Sequence, residues 1–270
     1  MKPRYKPFQA EGEESTGVKI AVGAGFLVLL AVAGLVAWLY ASRVQEAGNL
    51  DPVTFCPKDG ASSVTSVLVD RTDGINEIQA EALEALFMTW IDKVPDHGAF
   101  RVYEVSSAGL QKPIVDVCNP GDVENVNVLT GNERLTRKRY EEKFRAPILA
   151  MLSGMRSDGE AKTSPIMEAV QAIAVQDFGA GRAKDERTLI IVSDLMQHTD
   201  FSLYKAPPEI QKFRASAQGQ KLEADLSGVK TTIYLLHSSS AKQTDAVRQF
   251  WLDWLMFQRA DLQGQFKVPG

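Results

Sequence analysis

The stretch from Val64 to Gly74 (VTSVLVDRTDG) constrains the fold of this chain more than any other segment. It opens with an apolar, β-branched run and breaks into a turn that contains Asp70, Thr72 and Asp73. A run this short and apolar, bounded by turn residues, is typical of a strand buried on both faces in a parallel sheet. Because open α/β sheets bind ligands beyond the carboxyl ends of their strands, the turn delivers a hydroxyl and two carboxylates to a candidate binding edge.

Strands and helices alternate after this run. The apolar spacing predicts helices over residues 75–94, 135–155 and 165–178, and one more that Thr244 and Asp245 cap. Further strands are predicted over 99–106, 113–118, 188–192, 231–236 and 266–268. The turn at 107–110 is so short that the strands on either side of it pair only as an antiparallel hairpin. This order predicts an α/β, Rossmann-like fold: a mostly parallel sheet flanked by helices, with one antiparallel edge strand.

The segment 20–41 (IAVGAGFLVLLAVAGLVAWLYA) contains no charged residue. As a helix it extends about 33 Å, which matches the hydrocarbon core of a bilayer. A cleaved signal peptide has a shorter apolar core, so we expect a retained transmembrane helix that attaches the chain to a membrane. The predicted organisation is a cytoplasmic tail (1–19), the transmembrane helix (20–41), a linker (42–63) and one large domain (64–270).

Basic residues flank this apolar segment unequally. Lys2, Arg4, Lys6 and Lys19 precede it, whereas Arg43 is the one basic residue that follows it closely. The positive-inside rule then leaves the N-terminus in the cytoplasm. We therefore expect a single-pass protein of the inner (cytoplasmic) membrane whose main domain is periplasmic, or more generally extracytoplasmic.

The chain has two cysteines, Cys56 before the first strand and Cys118 at the end of the predicted hairpin. Two cysteines are too few for a disulfide scaffold or for a zinc site of their own. In an extracytoplasmic domain they can form a disulfide that ties the linker to the sheet. Two free thiols are the alternative.

Polar residues gather in three loops that the predicted topology places on one edge of the sheet. One loop carries Asp70, Thr72 and Asp73, the second precedes a helix with Ser164, and the third follows a buried strand with Asp194. Carboxylate and hydroxyl oxygens without His or Cys are hard ligands, suited to Mg²⁺, Mn²⁺ or Ca²⁺ rather than to zinc.

This pattern resembles the von Willebrand factor A domain and its metal-ion-dependent adhesion site, over the chain from Val64 to the C-terminus. In that family a strand ends in D-x-S/T-x-S, a later Thr is commonly followed by Pro and an apolar residue, and an Asp ends the next central strand. Asp70 and Thr72 match the first two positions, Ser164 before Pro-Ile matches the Thr position, and Asp194 matches the last Asp. The resemblance implies that these four side chains hold Mg²⁺, or Mn²⁺ or Ca²⁺.

Two residues depart from the family pattern. Gly74 stands where the second hydroxyl belongs, so water or Asp73 must complete the shell, and Ser164 replaces Thr. A simpler interpretation needs no metal: Asp70 and Asp194 cap helices or bind loop amides, and Ser164 caps the helix that Pro165 begins.

The leading functional hypothesis is a membrane-anchored interaction module of an envelope assembly that binds an acidic side chain of a protein partner through the metal. A metal-free scaffold of the same fold is the alternative.

A phosphatase-type hydrolase is a third hypothesis, but Thr72 stands where the D-x-D motif has its second Asp, so we expect no enzyme. The net charge of −4 gives no reason to expect nucleic acid as a partner. The long polar segment 196–228 is of a size that often carries recognition.

Overall fold

The computed structural model describes residues 16–107, 110, 112–121, 133–154, 161–179, 185–238 and 242–270. The chain divides into two units after Asn49. The first contains helix α1 (Thr16–Gly48), and the second, Leu50–Gly270, contains every other element given below. Residues 1–15 of the predicted tail lie outside the described residues.

The predicted membrane placement is wrong. A bilayer-spanning helix needs about 20 predominantly apolar residues in one run. Across the described part of the chain, no helix combines that length with sufficient apolar character. The expectation of a single-pass inner-membrane protein with a periplasmic domain, based on residues 20–41, is corrected accordingly.

Six strands and seven helices are described in the second unit. The strands are β1 (Val64–Asp70), β2 (Ala99–Val105), β3 (Val115–Cys118), β4 (Arg187–Ser193), β5 (Val229–Leu235) and β6 (Asp261–Lys267). The helices are α2 (Glu77–Ile91), α3 (Glu133–Tyr140), α4 (Ala146–Leu152), α5 (Ile166–Asp177), α6 (Ile210–Ala215), α7 (Ala217–Lys221) and α8 (Asp245–Phe257).

The strands form one sheet in the order β3-β2-β1-β4-β5-β6. All neighbours are parallel except β2 and β3, which pair antiparallel at one edge. The predicted α/β fold, mostly parallel with one antiparallel edge strand, is therefore confirmed. Because β1 pairs with β2 on one side and β4 on the other, its carboxyl end lies in the middle of the sheet. We call the side where β1 and β4 end, at Asp70 and Ser193, the carboxyl edge.

Two hydrophobic layers cover the sheet, and β1 contributes to both. Leu68 packs in the layer that contains α5 and α8, whereas Val67 and Val69 pack in the layer that contains α2 and α4. All three side chains are fully buried. The continuous apolar run in β1 thus reflects a strand that alternates between two cores rather than between core and solvent.

The predicted helix over 135–155 is broken into three parts. A π-helical turn, Glu141–Arg145, separates α3 from α4, and Pro147 occupies the first turn of α4. Because proline has no N–H to donate to the preceding turn, the regular α-helical hydrogen-bond pattern cannot continue through it. The polar segment after β4 also contains the short helices α6 and α7, which the apolar spacing did not predict.

The predicted disulfide is confirmed. Cys56 and Cys118 are bonded at an S–S distance of 2.07 Å. The backbone N–H of Cys118 also donates to the carbonyl of Thr54 at 2.8 Å. The segment before β1 is therefore fixed to the end of the edge strand β3.

Candidate functional site

Asp70 lies at the centre of the carboxyl edge and is only 4% exposed. Its Oδ1 accepts hydrogen bonds from the backbone N–H of Thr72 (3.0 Å) and from the Thr72 hydroxyl (2.6 Å). Its Oδ2 accepts from the Ser193 hydroxyl at 2.8 Å, and the Ser164 hydroxyl lies 3.4 Å away. Burial raises the pKa of the Asp70 carboxyl, and these hydrogen bonds partly offset that effect. Two strand ends and the loop before α5 therefore converge on one buried carboxylate.

A short backbone pairing with His198 holds Ser164 next to Thr72. The Thr72 and Ser164 hydroxyl oxygens are 3.0 Å apart, and both side chains are buried. Ser164 exchanges two backbone hydrogen bonds with His198, of 2.8 and 2.9 Å. The N-cap of α5 is Pro165, and the side chain that accepts from the first turn of this helix is Gln197, whose Oε1 accepts from the Met167 N–H at 2.9 Å. The Ser164 hydroxyl therefore faces the site, and its interpretation as a helix cap is wrong.

Asp194 directly follows β4 and is 4% exposed. Its Oδ1 accepts from the backbone N–H of Met196 at 2.9 Å. Its Oδ2 is buried and has no hydrogen-bond partner within the described ranges. Burial raises the pKa of this carboxyl to about 8, and the neighbouring carboxyl of Asp73 and the charge of Asp70 add to the effect. Asp194 thus interacts with the Asp73 carboxyl and, more weakly, with the charge of Asp70, while Ser193 provides the direct contact between the two strand ends.

Two further residues belong to this site, and the sequence did not identify their roles. Ser193 donates to Asp70 and also accepts from the backbone N–H of Leu195 at 2.8 Å. Tyr204, from the segment after β4, has its pKa raised to about 12 by burial and by the charges of Asp73 and Asp194. The adjacent Ser-Asp pair was a visible signal for Ser193, but nothing in the sequence pointed to Tyr204.

The backbone explains why glycine occupies position 74. Gly74 has a φ of 76°, in the left-handed region that side chains with a Cβ rarely adopt. Its N–H lies 3.5 Å from the carbonyl oxygen of Arg71, which closes the turn after β1. A serine at this position would therefore add a hydroxyl only with backbone strain.

The site presents two buried carboxylates and the buried hydroxyls of Thr72, Ser164 and Ser193, without the side chain of a His or Cys. Neither Asp70 nor Asp194 forms an ion pair with Lys or Arg where the chain is described. Within the same residues, no three His, Cys, Asp or Glu side chains are grouped so that they could hold a metal ion. A cation here would therefore need the hydroxyls of Thr72 and Ser164 as well as the carboxylates.

The fold and the site define an α/β domain with a carboxylate–hydroxyl cluster at the carboxyl edge of a mostly parallel sheet. No family model matches the chain, and no curated protein matches it. Among solved structures, it is similar to the SpRpn10 VWA domain, with 11% identity and a TM-score of 0.40 over 77% of this chain and 88% of that one.

Two other solved structures cover similar parts of this chain. A von Willebrand factor type A structure from Catenulispora acidiphila has 10% identity and a TM-score of 0.41, over 74% of this chain and 42% of that one. The D319A mutant of the PilB minor pilin from Streptococcus sanguinis has 8% identity and a TM-score of 0.43, over 81% and 59%. This chain thus spans less than two thirds of either protein.

Proposed function

We propose that Leu50–Gly270 is a protein-interaction module that holds a divalent cation at its carboxyl edge. Asp70, Thr72, Ser164 and Asp194 would be the protein ligands, and Mg²⁺, Mn²⁺ or Ca²⁺ the ion. One observation carries the proposal: the Asp70 and Asp194 carboxylates are both buried at the carboxyl edge, burial raises the pKa of each, and neither is paired with a basic side chain among the described residues. A bound cation would neutralise this charge, which is otherwise costly to bury.

The residues present fit such an ion. All four side chains offer hard oxygen atoms, the type that Mg²⁺ and Ca²⁺ prefer. The buried Oδ2 of Asp194 accepts no hydrogen bond from an N–H or a hydroxyl in the described chain, so it is available as a ligand. Gly74 contributes no side-chain oxygen, which leaves coordination positions for water and for an incoming group. When bound, the cation supplies a coordination position that a carboxylate of a protein partner can fill.

The chain's own residues would position that partner. Ser193 and Thr72 orient the Asp70 carboxylate through hydrogen bonds, and the pairing of Ser164 with His198 fixes the second hydroxyl. Asp73 is exposed beside the site, so its negative charge would oppose an acidic partner unless the cation is bound. Binding of the partner is therefore expected to depend on the cation.

A metal-free scaffold is the second candidate, and a specific observation favours it. Asp70 already accepts three hydrogen bonds of 3.0 Å or shorter from Thr72 and Ser193, so it is well satisfied without an ion. In this alternative, Asp194 is protonated near neutral pH and the cluster only stabilises the ends of β1 and β4.

Thermal unfolding of the full chain distinguishes the two candidates. A ligand that binds only the folded state raises the Tm, so Mg²⁺ or Mn²⁺ added after EDTA should increase it. Asp194→Asn should abolish the increase, whereas Asp261→Asn, an exposed carboxylate at the start of β6, should leave it intact. No increase for the wild type would reject the cation and leave the scaffold.

A capture experiment then tests the interaction itself. The wild-type chain, immobilised with Mg²⁺ present, should retain a protein that EDTA releases and that the Asp194→Asn chain does not retain. Retention that is equal in EDTA, or equal for the variant, would contradict a cation-dependent interaction even if the thermal shift is observed.

A further inference from the structure

A groove of about 570 Å³ lies between the α6–α7 segment and the end of α8, and it shares no residue with the Asp70 site. Phe213 and Trp254 are buried in its wall, and Phe257 is 37% exposed beside them. This volume is within the range of about 300–1,000 Å³ typical of ligand sites. The groove therefore combines one exposed aromatic side chain, Phe257, with enough space for a ligand of a few residues.

The groove is preformed by close backbone contacts. A Cβ on Gly219 would lie 2.0 Å from the carbonyl oxygen of Phe213, so the approach of α7 to α6 requires glycine. The opposite wall is tied to the end of α8, because the Gln258 carbonyl accepts from Leu226 N (2.9 Å) and its side chain accepts from Ala224 N (2.7 Å). A ligand would not need to order this surface on binding.

Two opposite charges in this groove have no ion-pair partner. The Arg214 guanidinium lies 4.9 Å from the ring centroid of Phe257, and no carboxylate pairs with it in the described chain. Glu223 also lacks a basic partner there, whereas the neighbouring Asp225 is paired with Arg259 at 3.1 Å. The groove therefore suits a ligand that presents both an acidic and a basic group.

The aromatic wall contains an unused hydrogen-bond donor. The indole N–H of Trp254 is buried and has no acceptor within the described residues. The neighbouring Trp251 is different, because its N–H donates to the carbonyl of Leu195 at 2.8 Å. The Trp254 indole N–H is closed to solvent, so it lies behind the groove surface and serves as a nearby reporter rather than as a ligand contact.

We propose that this groove binds a peptide segment of a protein partner that contains an acidic, a large apolar and a basic residue. The acidic side chain pairs with Arg214 and the basic one with Glu223. The apolar side chain packs against Phe257, the exposed aromatic side chain of the groove lining. This surface is independent of the proposed cation site and would work in the presence of EDTA.

Nuclear magnetic resonance of the ¹⁵N-labelled full chain in EDTA tests the proposal. The four tryptophans give separate indole N–H signals, and Trp254→Phe assigns the relevant one. The probes are the blocked peptides acetyl-Asp-Phe-Lys-amide and acetyl-Lys-Phe-Asp-amide, with acetyl-Gln-Phe-Asn-amide and free phenylalanine for comparison. A charged peptide should shift the Trp254 signal in a saturable manner, and the uncharged peptide should bind more weakly.

Charge variants provide the matched controls. Arg214→Gln and Glu223→Gln should each weaken binding about twofold to fivefold, the range for exposed ion pairs. Lys212→Gln should have no effect, because Lys212 is exposed on the same helix but pairs with Glu209. If Trp254→Phe does not fold, calorimetric titration of the wild type and Arg214→Gln decides the same question. The proposal is overturned if neither charged peptide binds, if both charge variants bind normally, or if free phenylalanine alone binds.

Discussion

The Ser193 hydroxyl donates a 2.8 Å hydrogen bond to Oδ2 of Asp70, across 123 positions of sequence. Both residues end central strands, so this contact joins β1 to β4 at the point where their backbone pairing stops. It also satisfies an oxygen of a carboxylate that is almost fully buried. The side chains at the carboxyl edge are therefore positioned from within the sheet rather than by the loops alone.

Replacing Ser193 with alanine should destabilise the domain by about 1–3 kcal/mol, because Asp70 Oδ2 loses its shortest hydrogen bond in a buried setting. Urea unfolding in EDTA measures the change. Ser153→Ala is a suitable control, since that hydroxyl is exposed and should alter stability by less than about 0.5 kcal/mol. Equal effects of the two substitutions would contradict the importance of the Ser193–Asp70 contact.

Stability in EDTA should fall as the pH rises toward 8. The Asp194 carboxyl titrates near 3.8 when unfolded and near 8 when folded. Between these values the folded state holds the extra proton, so the free energy of unfolding decreases with rising pH across this window. Above about pH 8 both states are ionised and the decrease from this group is complete.

Urea unfolding at pH 5 and pH 8 checks this expectation by comparing variants. Asp194→Asn removes the titrating group and should flatten the dependence, whereas Asp261→Asn should retain it. Saturating Mg²⁺ should also flatten it in the wild type if a cation binds, because the ion favours the carboxylate form. The raised pKa of Asp194 would be contradicted if the free energy of unfolding of the wild type fell no more between pH 5 and pH 8 than that of Asp194→Asn.

The fold and part of the site could be predicted because their signals are local. Asp70 and Thr72 follow the apolar run directly, so the strand and its polar end are visible in one segment. The contact of Ser193 with Asp70 depends on the pairing of β1 with β4, which the order of residues does not determine. The direction of the Ser164 hydroxyl was equally hidden, because a helix cap and a site residue have the same local sequence.

Elements with few apolar residues were predicted least well, for a physical reason. β6 runs over Asp261–Lys267, but only 266–268 was predicted, since its polar residues suit a half-exposed edge strand and produce no apolar run. The two short helices after β4 likewise lack an apolar repeat long enough to detect. They pack through a few residues such as Phe213, and they line the proposed peptide groove.

An ion pair with a buried carboxylate anchors the far end of α5, the helix that begins beside Ser164. Asp177 accepts from Arg101 at 2.7 Å, from the Tyr103 hydroxyl at 3.0 Å and from the Ser66 hydroxyl at 2.5 Å. Asp177→Ala would leave these groups without their acceptor, so the expected loss is about 3 kcal/mol or more.

Arg101 also pairs with a second carboxylate, and that residue provides a matched control for Asp177→Ala. Asp116 pairs with the same guanidinium at 2.9 Å, but its side chain is 37% exposed. Asp116→Ala should therefore cost less than about 1 kcal/mol. Urea unfolding of both variants measures how much each substitution lowers the free energy of unfolding. Similar losses would contradict the expectation that the buried carboxylate of Asp177 contributes more than the exposed one of Asp116.

Gly74→Ser tests why this chain lacks the second hydroxyl of the D-x-S/T-x-S motif. With φ at 76°, a side chain at this position strains the backbone by about 1–2 kcal/mol. In EDTA the variant should therefore be less stable than the wild type by about that amount. Gly154→Ser is the control, because that glycine has no positive φ and a Cβ there would meet the Met151 carbonyl at an ordinary 3.5 Å.

The same variant also reports on the cation. If the ion is bound at the carboxyl edge, the new hydroxyl supplies an additional ligand. The stability deficit of Gly74→Ser, its lower free energy of unfolding relative to the wild type, should then be smaller in Mg²⁺ than in EDTA. An equal deficit in both conditions, alongside a thermal shift of the wild type, would mean that residue 74 does not reach the ion. A variant as stable as the wild type in EDTA would contradict the strain argument itself, because the left-handed backbone would then accept serine without penalty.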